Sequence, residues 1–108
     1  MDERSPLTPA VFAILVALAN GEKHGYAVMK EASAIAPGVK MGPGTLYGAL
    51  DRMRGAGLVE ETDTTDDDRR RYYRITRLGL KVLKAETERM SSTVAIARRR
   101  LAARGASA

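Results

Sequence analysis

The sequence predicts a mainly α-helical domain with a small β-hairpin, extended by one long C-terminal helix. Three observations lead there. Three helical stretches, each closed by glycine or proline, fill residues 8–57. Two short runs rich in β-branched and aromatic residues, 58–62 and 71–75, flank a wholly polar segment. From Thr76 to about Arg104, the residues Leu80, Leu83, Thr87, Met90, Val94, Ala97 and Leu101 are spaced alternately by three and four, which is a heptad seam.

Each element has local signals. Thr8 and Pro9 read as N-cap and first residue of a helix to about Asn20. That helix is apolar on all faces, where a surface helix shows one stripe. It needs cover on both sides: the domain's own core on one and a partner chain on the other. A central core helix is the plainer alternative. Asn20-Gly21 closes it. A second helix spans His24 to about Ala36, with Tyr26, Met29 and Ala32/Ser33 at helical spacing, and Pro37-Gly38 ends it. Gly42-Pro43-Gly44-Thr45 opens a third, to about Ala56. Its buried stripe is Leu46, Leu50 and Met53; Gly44, Thr45, Gly48, Asp51 and Arg52 form the outer face, with Tyr47 on the flank. Asp63 to Arg70 reads as a flexible hairpin tip. Thr76 caps the last helix, and Gly105 onward reads as a frayed, disordered tail. The division is 1–76, 77–104 and 105–108.

Composition narrows the function. The chain has 108 residues, 44% apolar and 29% charged, a globular mix for one domain. With no cysteine and one histidine, His24, thiolate sites and His-cluster metal sites within the chain are excluded, and no cofactor is expected. The ten-residue apolar run Ala10–Ala19 falls short of the roughly 20 residues a membrane helix takes. With no targeting signal in view, a cytoplasmic protein is expected. Paired carboxylates, phosphate loops and metal spacings are missing too. Gly42 and Gly44 precede a helix but follow no strand, so they form no nucleotide fingerprint, and an enzyme is not expected.

Charge is the sharper guide. The net value is +5, which raises the prior for a polyanionic partner. Residues 1–59 carry net +1, residues 60–68 net −6, and residues 69–108 net +10. An acidic run therefore sits directly before a basic one. Three helices followed by a hairpin is the outline of a winged helix-turn-helix, with the third helix as recognition helix and the hairpin as wing.

Three segments make the chain resemble the PadR-like transcriptional regulators. The first is Gly21 with His24-Gly25-Tyr26. The second is Pro43-Gly44-Thr45-Leu46-Tyr47 with Leu50, Arg52 and Gly57-Leu58-Val59. The third is Arg69-Arg70-Arg71-Tyr72-Tyr73-Arg74-Ile75-Thr76 with Gly79. Together they cover about residues 7–85, and the single C-terminal helix resembles the family's short branch. The resemblance implies a homodimer that binds double-stranded DNA at a palindromic operator, most often as a repressor. It places dimerisation on the first and last helices, here through Val11, Phe12, Leu15 and the seam Leu80, Leu83, Thr87, Met90, Val94, Ala97 and Leu101.

The expected DNA contacts are Tyr26, Gly44, Thr45, Tyr47, Gly48, Arg52, Arg69, Arg70, Arg71 and Tyr72. A helix start offers free N–H groups to a phosphate, and each arginine can pair a phosphate bidentately or enter a minor groove. Plainer roles are open for several: Tyr47 as a half-buried ring against the wing, His24 as a cap, Thr45 as a first-turn residue. Asp66-Asp67-Asp68 either points away from DNA or holds the arginines when DNA is absent, and should weaken non-specific binding. Arg98-Arg99-Arg100 and Arg104 suit a helix C-terminus, a placement worth about 0.3–1 kcal/mol, and are not assigned to DNA. Short members can bind aromatic or drug-like effectors at the dimer interface, often against a tryptophan. No tryptophan occurs here; Phe12 and Met90 fall where such a cavity would be lined, and both read first as ordinary dimer-core residues. A winged-helix adaptor that binds protein without DNA is the alternative function.

Overall fold

The structure is a computed structural model and describes residues 7–107. The order is α1 (Pro9–Leu18), β1 (Lys23–His24), α2 (Gly25–Ile35), α3 (Pro43–Gly55), β2 (Val59–Glu61), β3 (Tyr72–Ile75) and α4 (Arg77–Ser107). The winged helix-turn-helix is present, with one addition. The hairpin β2–β3 is joined by β1 into a three-stranded antiparallel sheet in the order β1-β3-β2. Lys23 faces Tyr73, and His24 faces Tyr72. His24 is thus a strand residue and the N-cap of α2 rather than its first residue.

The expected caps form. Thr8 Oγ1 accepts from Val11 N at 3.2 Å. Thr76 Oγ1 accepts from Gly79 N at 3.0 Å and donates to the Gly57 carbonyl at 2.5 Å, so it starts α4 and ties it to the end of α3. Gly79 lets this junction close. A Cβ there would collide with the Leu58 carbonyl oxygen and lie 2.7 Å from Ile75 Cγ1.

The core lies between α1 and the three other helices and is finished by the sheet. Its largest enclosed side chains are Ile14, Leu15, Leu18, Val28, Leu46, Leu50, Met53, Leu58 and Val59. Leu46, Leu50 and Met53 face inward as the spacing predicts. The first helix departs from expectation. Val11 and Leu15 are buried in the protomer's own core, because α1 packs against α2, α3, β3 and α4 at once. They have no surface left for a partner. Of the three α1 residues expected at a dimer interface, Phe12 alone keeps accessible area.

The last helix packs on the core by a face other than the heptad seam. Its inward face is Gly79, Val82, half-buried Leu83 and Glu86. Of the heptad seam only Leu83 touches the core cluster; Leu80, Thr87, Met90, Val94, Ala97 and Leu101 are exposed in the protomer. The helix does not stop at Arg104. It runs to Ser107, so residues 105–107 are helical rather than a tail, and Ala108 lies outside the described residues.

Candidate nucleic-acid interface

The α2 start, α3 and the wing converge on one shallow groove. It measures about 300 Å³ and is lined by Gly25, Tyr26, Tyr47, Arg70, Arg71 and Tyr73. Each wall has a local cause. His24 Nδ1 accepts from Ala27 N at 3.1 Å and satisfies an orphan donor of α2's first turn. The His24 ring lies 6.5 Å from Tyr26, nearly parallel, and 5.5 Å from Tyr72, edge-on. It therefore joins the start of α2 to β3. Tyr26 remains 54% exposed, with the Lys30 ammonium 5.7 Å from its ring centre, within cation–π range.

Gly25 is buried beneath Tyr47. A Cβ at residue 25 would sit 2.5 Å from the Tyr47 hydroxyl and 2.9 Å from two ring carbons. The glycine lets that ring cross from α3 onto α2. The ring packs on Gly25 of α2, and Tyr47 is still 46% exposed. Gly44, Thr45 and Arg52 are exposed on α3, and Gly48 is partly covered, with Arg52 Nη1 folded beside it. Gly42 caps α3 without a side-chain bond, which leaves first-turn N–H groups for an anion.

The wing tip is built around Asp66. Its Oδ1 accepts from Asp68 N at 3.0 Å and Arg70 N at 3.1 Å. Its Oδ2 accepts from Arg70 Nε at 2.6 Å and the Tyr72 hydroxyl at 3.3 Å. Its backbone carbonyl accepts from Arg69 N at 2.9 Å, where Arg69 takes a left-handed φ of 58°. Thr64 adds a tether, donating from Oγ1 to Glu22 at 2.7 Å. The tip is an organised turn rather than the loose segment expected. Partial desolvation pushes the Asp66 carboxyl up, but the Arg70 N–H and guanidinium and the Asp68 N–H together hold it below the ordinary carboxylate range.

Carboxylates also reach the other wing arginines. Glu61 lies 3.4 Å from Arg71 and 3.0 Å from Arg54. Glu60 lies 2.5 Å from Arg74, and Asp68 lies 3.9 Å from Arg70. Among the described residues Arg69 finds no carboxylate. Of the residues expected from sequence, the groove unites Tyr26, Tyr47, Arg70 and Arg71. Gly44, Thr45, Gly48 and Arg52 lie on the helix that carries Tyr47. Tyr72 turns toward His24 and Asp66 as a half-buried support. Gly25, Tyr73, Glu61 and Asp66 complete the site. Gly25 and Tyr73 stood in the quoted motifs, but no spacing rule assigns them to the groove.

Three helices followed by a wing make a winged helix-turn-helix, the fold class of many transcriptional regulators. Residues 14–85 match the PadR-like family of transcriptional regulators, and the chain belongs to that family. A transcriptional regulator from Clostridium thermocellum is 27% identical with a TM-score of 0.68, over 83% of this chain and 87% of that one. RosR of H. salinarum is 25% identical with a TM-score of 0.71, over 99% and 100%. A PadR family regulator from Clostridium difficile shares the fold at 23% identity and TM-score 0.74, over 87% and 99%. A 37.1 kDa transposon protein of Streptomyces fradiae is 35% identical over 82 residues, 76% of this chain; the chain spans 23% of that relative's length. Among the described residues, no helix is long and apolar enough to cross a membrane.

Proposed function

We propose that this regulator acts as a homodimeric repressor at a palindromic operator. The observation that carries the DNA-binding part is the convergence of Tyr26, Tyr47, Arg70 and Arg71, from three elements, on one exposed groove; the dimer and repressor parts rest on the family resemblance. Phosphate contacts from Tyr26, Tyr47 and the wing arginines set the register. Thr45, with Arg52 behind it, reaches base edges, while Gly44 and Gly48 allow close approach. Arg69 extends the wing's reach, and Tyr72 holds the wing in place. The dimer forms through Phe12 and the exposed seam of α4. Any effector site is placed against Phe12 and Met90 at that interface.

The test is a mobility shift with the DNA upstream of the protein's own gene, followed through a salt series. Arg70→Ala and Arg71→Ala should weaken binding and flatten the salt slope by about 0.9 per lost phosphate contact. An unchanged slope removes the wing from the interface. The adaptor reading draws on the pairing of Arg70, Arg71 and Arg74 with carboxylates of the same wing. A folded dimer that shifts no DNA at low salt would select it.

A further inference from the structure

Three carboxylates in a row on a DNA-facing wing should repel the backbone. They are not equivalent, however. Asp67 and Asp68 are exposed, whereas Asp66 is partly covered and accepts four hydrogen bonds. The two oxygens of Asp66 divide the work. Oδ1 takes two backbone N–H groups and makes the turn; Oδ2 takes Arg70 Nε and the Tyr72 hydroxyl. A guanidinium has an Nε edge and an Nη edge. Asp66 occupies the first at 2.6 Å, while Asp68 stands off Nη2 at 3.9 Å. The Arg70 side chain, 43% exposed, lines the groove together with Tyr26 and Tyr47. Apart from that longer Asp68 contact, its Nη edge is left for an oxyanion.

We infer that Asp66 is a positioning residue for DNA binding, one that holds Arg70 by its Nε edge and so presents the Nη edge to a backbone phosphate. The inference rests on the groove being the DNA site. An arginine fixed in advance loses less side-chain freedom on binding than a free one, and rotamer-rich side chains carry the larger ordering cost. The predicted sign opposes simple electrostatics. Removing a negative charge near DNA ordinarily tightens binding; removing this one should loosen it.

Asp66→Asn separates the two effects. The amide oxygen can still accept from the backbone of residues 68 and 70, so the turn persists. The amide nitrogen then meets Arg70 Nε as a second donor and releases it. Affinities are measured by titration of a labelled mixed-sequence duplex at low salt, with thermal unfolding confirming the fold of each variant. Asp66→Asn should weaken binding about three- to tenfold, the range of one hydrogen bond. Asp67→Asn, which loses the same charge at a carboxylate with no partner among the described residues, should tighten it. In an Arg70→Ala background, Asp66→Asn should no longer weaken binding, which a purely structural role for Asp66 would still do. Binding by Asp66→Asn as tight as the unmodified protein, or a loss that survives in the Arg70→Ala background, overturns the inference. If Arg70→Ala itself binds like the unmodified protein, the wing reading fails and the positioning role with it.

Discussion

Gly25 has no side chain, and the Tyr47 ring occupies the space one would fill. The obstacle to Gly25→Ala is the far end of a side chain that can swing away, not backbone. The expected result is a split: a melting temperature close to that of the unmodified protein, with a duplex affinity reduced about tenfold as Tyr47 leaves the groove. Thermal unfolding and a binding titration of the same preparation check it; unchanged affinity would exclude Tyr47 as a contact. At this scale the sequence was only partly legible. Tyr26, Tyr47, Arg70 and Arg71 stood out because aromatic and guanidinium groups carry their chemistry wherever they are placed. Gly25 did not, since its importance depends on a residue 22 positions away. Asp66 read as one of three similar aspartates. Which of them closes the turn depends on hydrogen bonds that composition does not encode.

Elements with their own punctuation were readable, and those defined by distant pairing were not. Thr8-Pro9, Gly42-Pro43 and Thr76 announced three helix starts, and all three form. Strand β1 is two residues long and has no alternation to display; it exists because β3 offers it an edge. The inward face of α4 was not legible for a related reason. The heptad pattern marks its most regular apolar stripe, yet the buried face includes a glycine and a carboxylate. That carboxylate, Glu86, is 6% exposed and anchors the chain ahead of α1 by accepting from Leu7 N at 2.7 Å. The Arg89 guanidinium, and then the Leu7 N–H, hold it below the ordinary range. A carboxyl lowered in the folded state stabilises above its unfolded value and loses that contribution as pH falls through the folded one. Between about pH 5 and pH 3 the unmodified protein should therefore lose more thermal stability than Glu86→Gln, which cannot titrate. Melting temperatures of the two proteins across that window check the prediction, and parallel curves would show that the anchor contributes nothing.

The whole molecule is elongated, 60 × 25 × 22 Å with a radius of gyration of 16.3 Å, where a compact chain of this length comes to about 13 Å. The difference is α4. A helix of 31 residues spans about 46 Å, and past Glu86 its side chains through Gly105 are exposed. Met90, Val94, Ile96 and Leu101 are exposed there, while the largest enclosed side chains all belong to the winged core. Helices in proteins draw most of their stability from packing, so this stretch suits the proposed dimer, in which the net charge of +5 would double. The structure also chooses the substitution that tests it. Leu83 packs against the core, so an aspartate there would confuse unfolding with dissociation. Val94 touches nothing in its own protomer's core and lies 47% exposed on the seam. Val94→Asp should leave the winged core folded, sediment as a monomer, and bind an operator with two half-sites at least about 100-fold more weakly, the loss expected when two linked sites become one. A dimer that survives Val94→Asp would place the interface elsewhere, and a monomer that keeps full affinity would show that one winged core suffices for DNA.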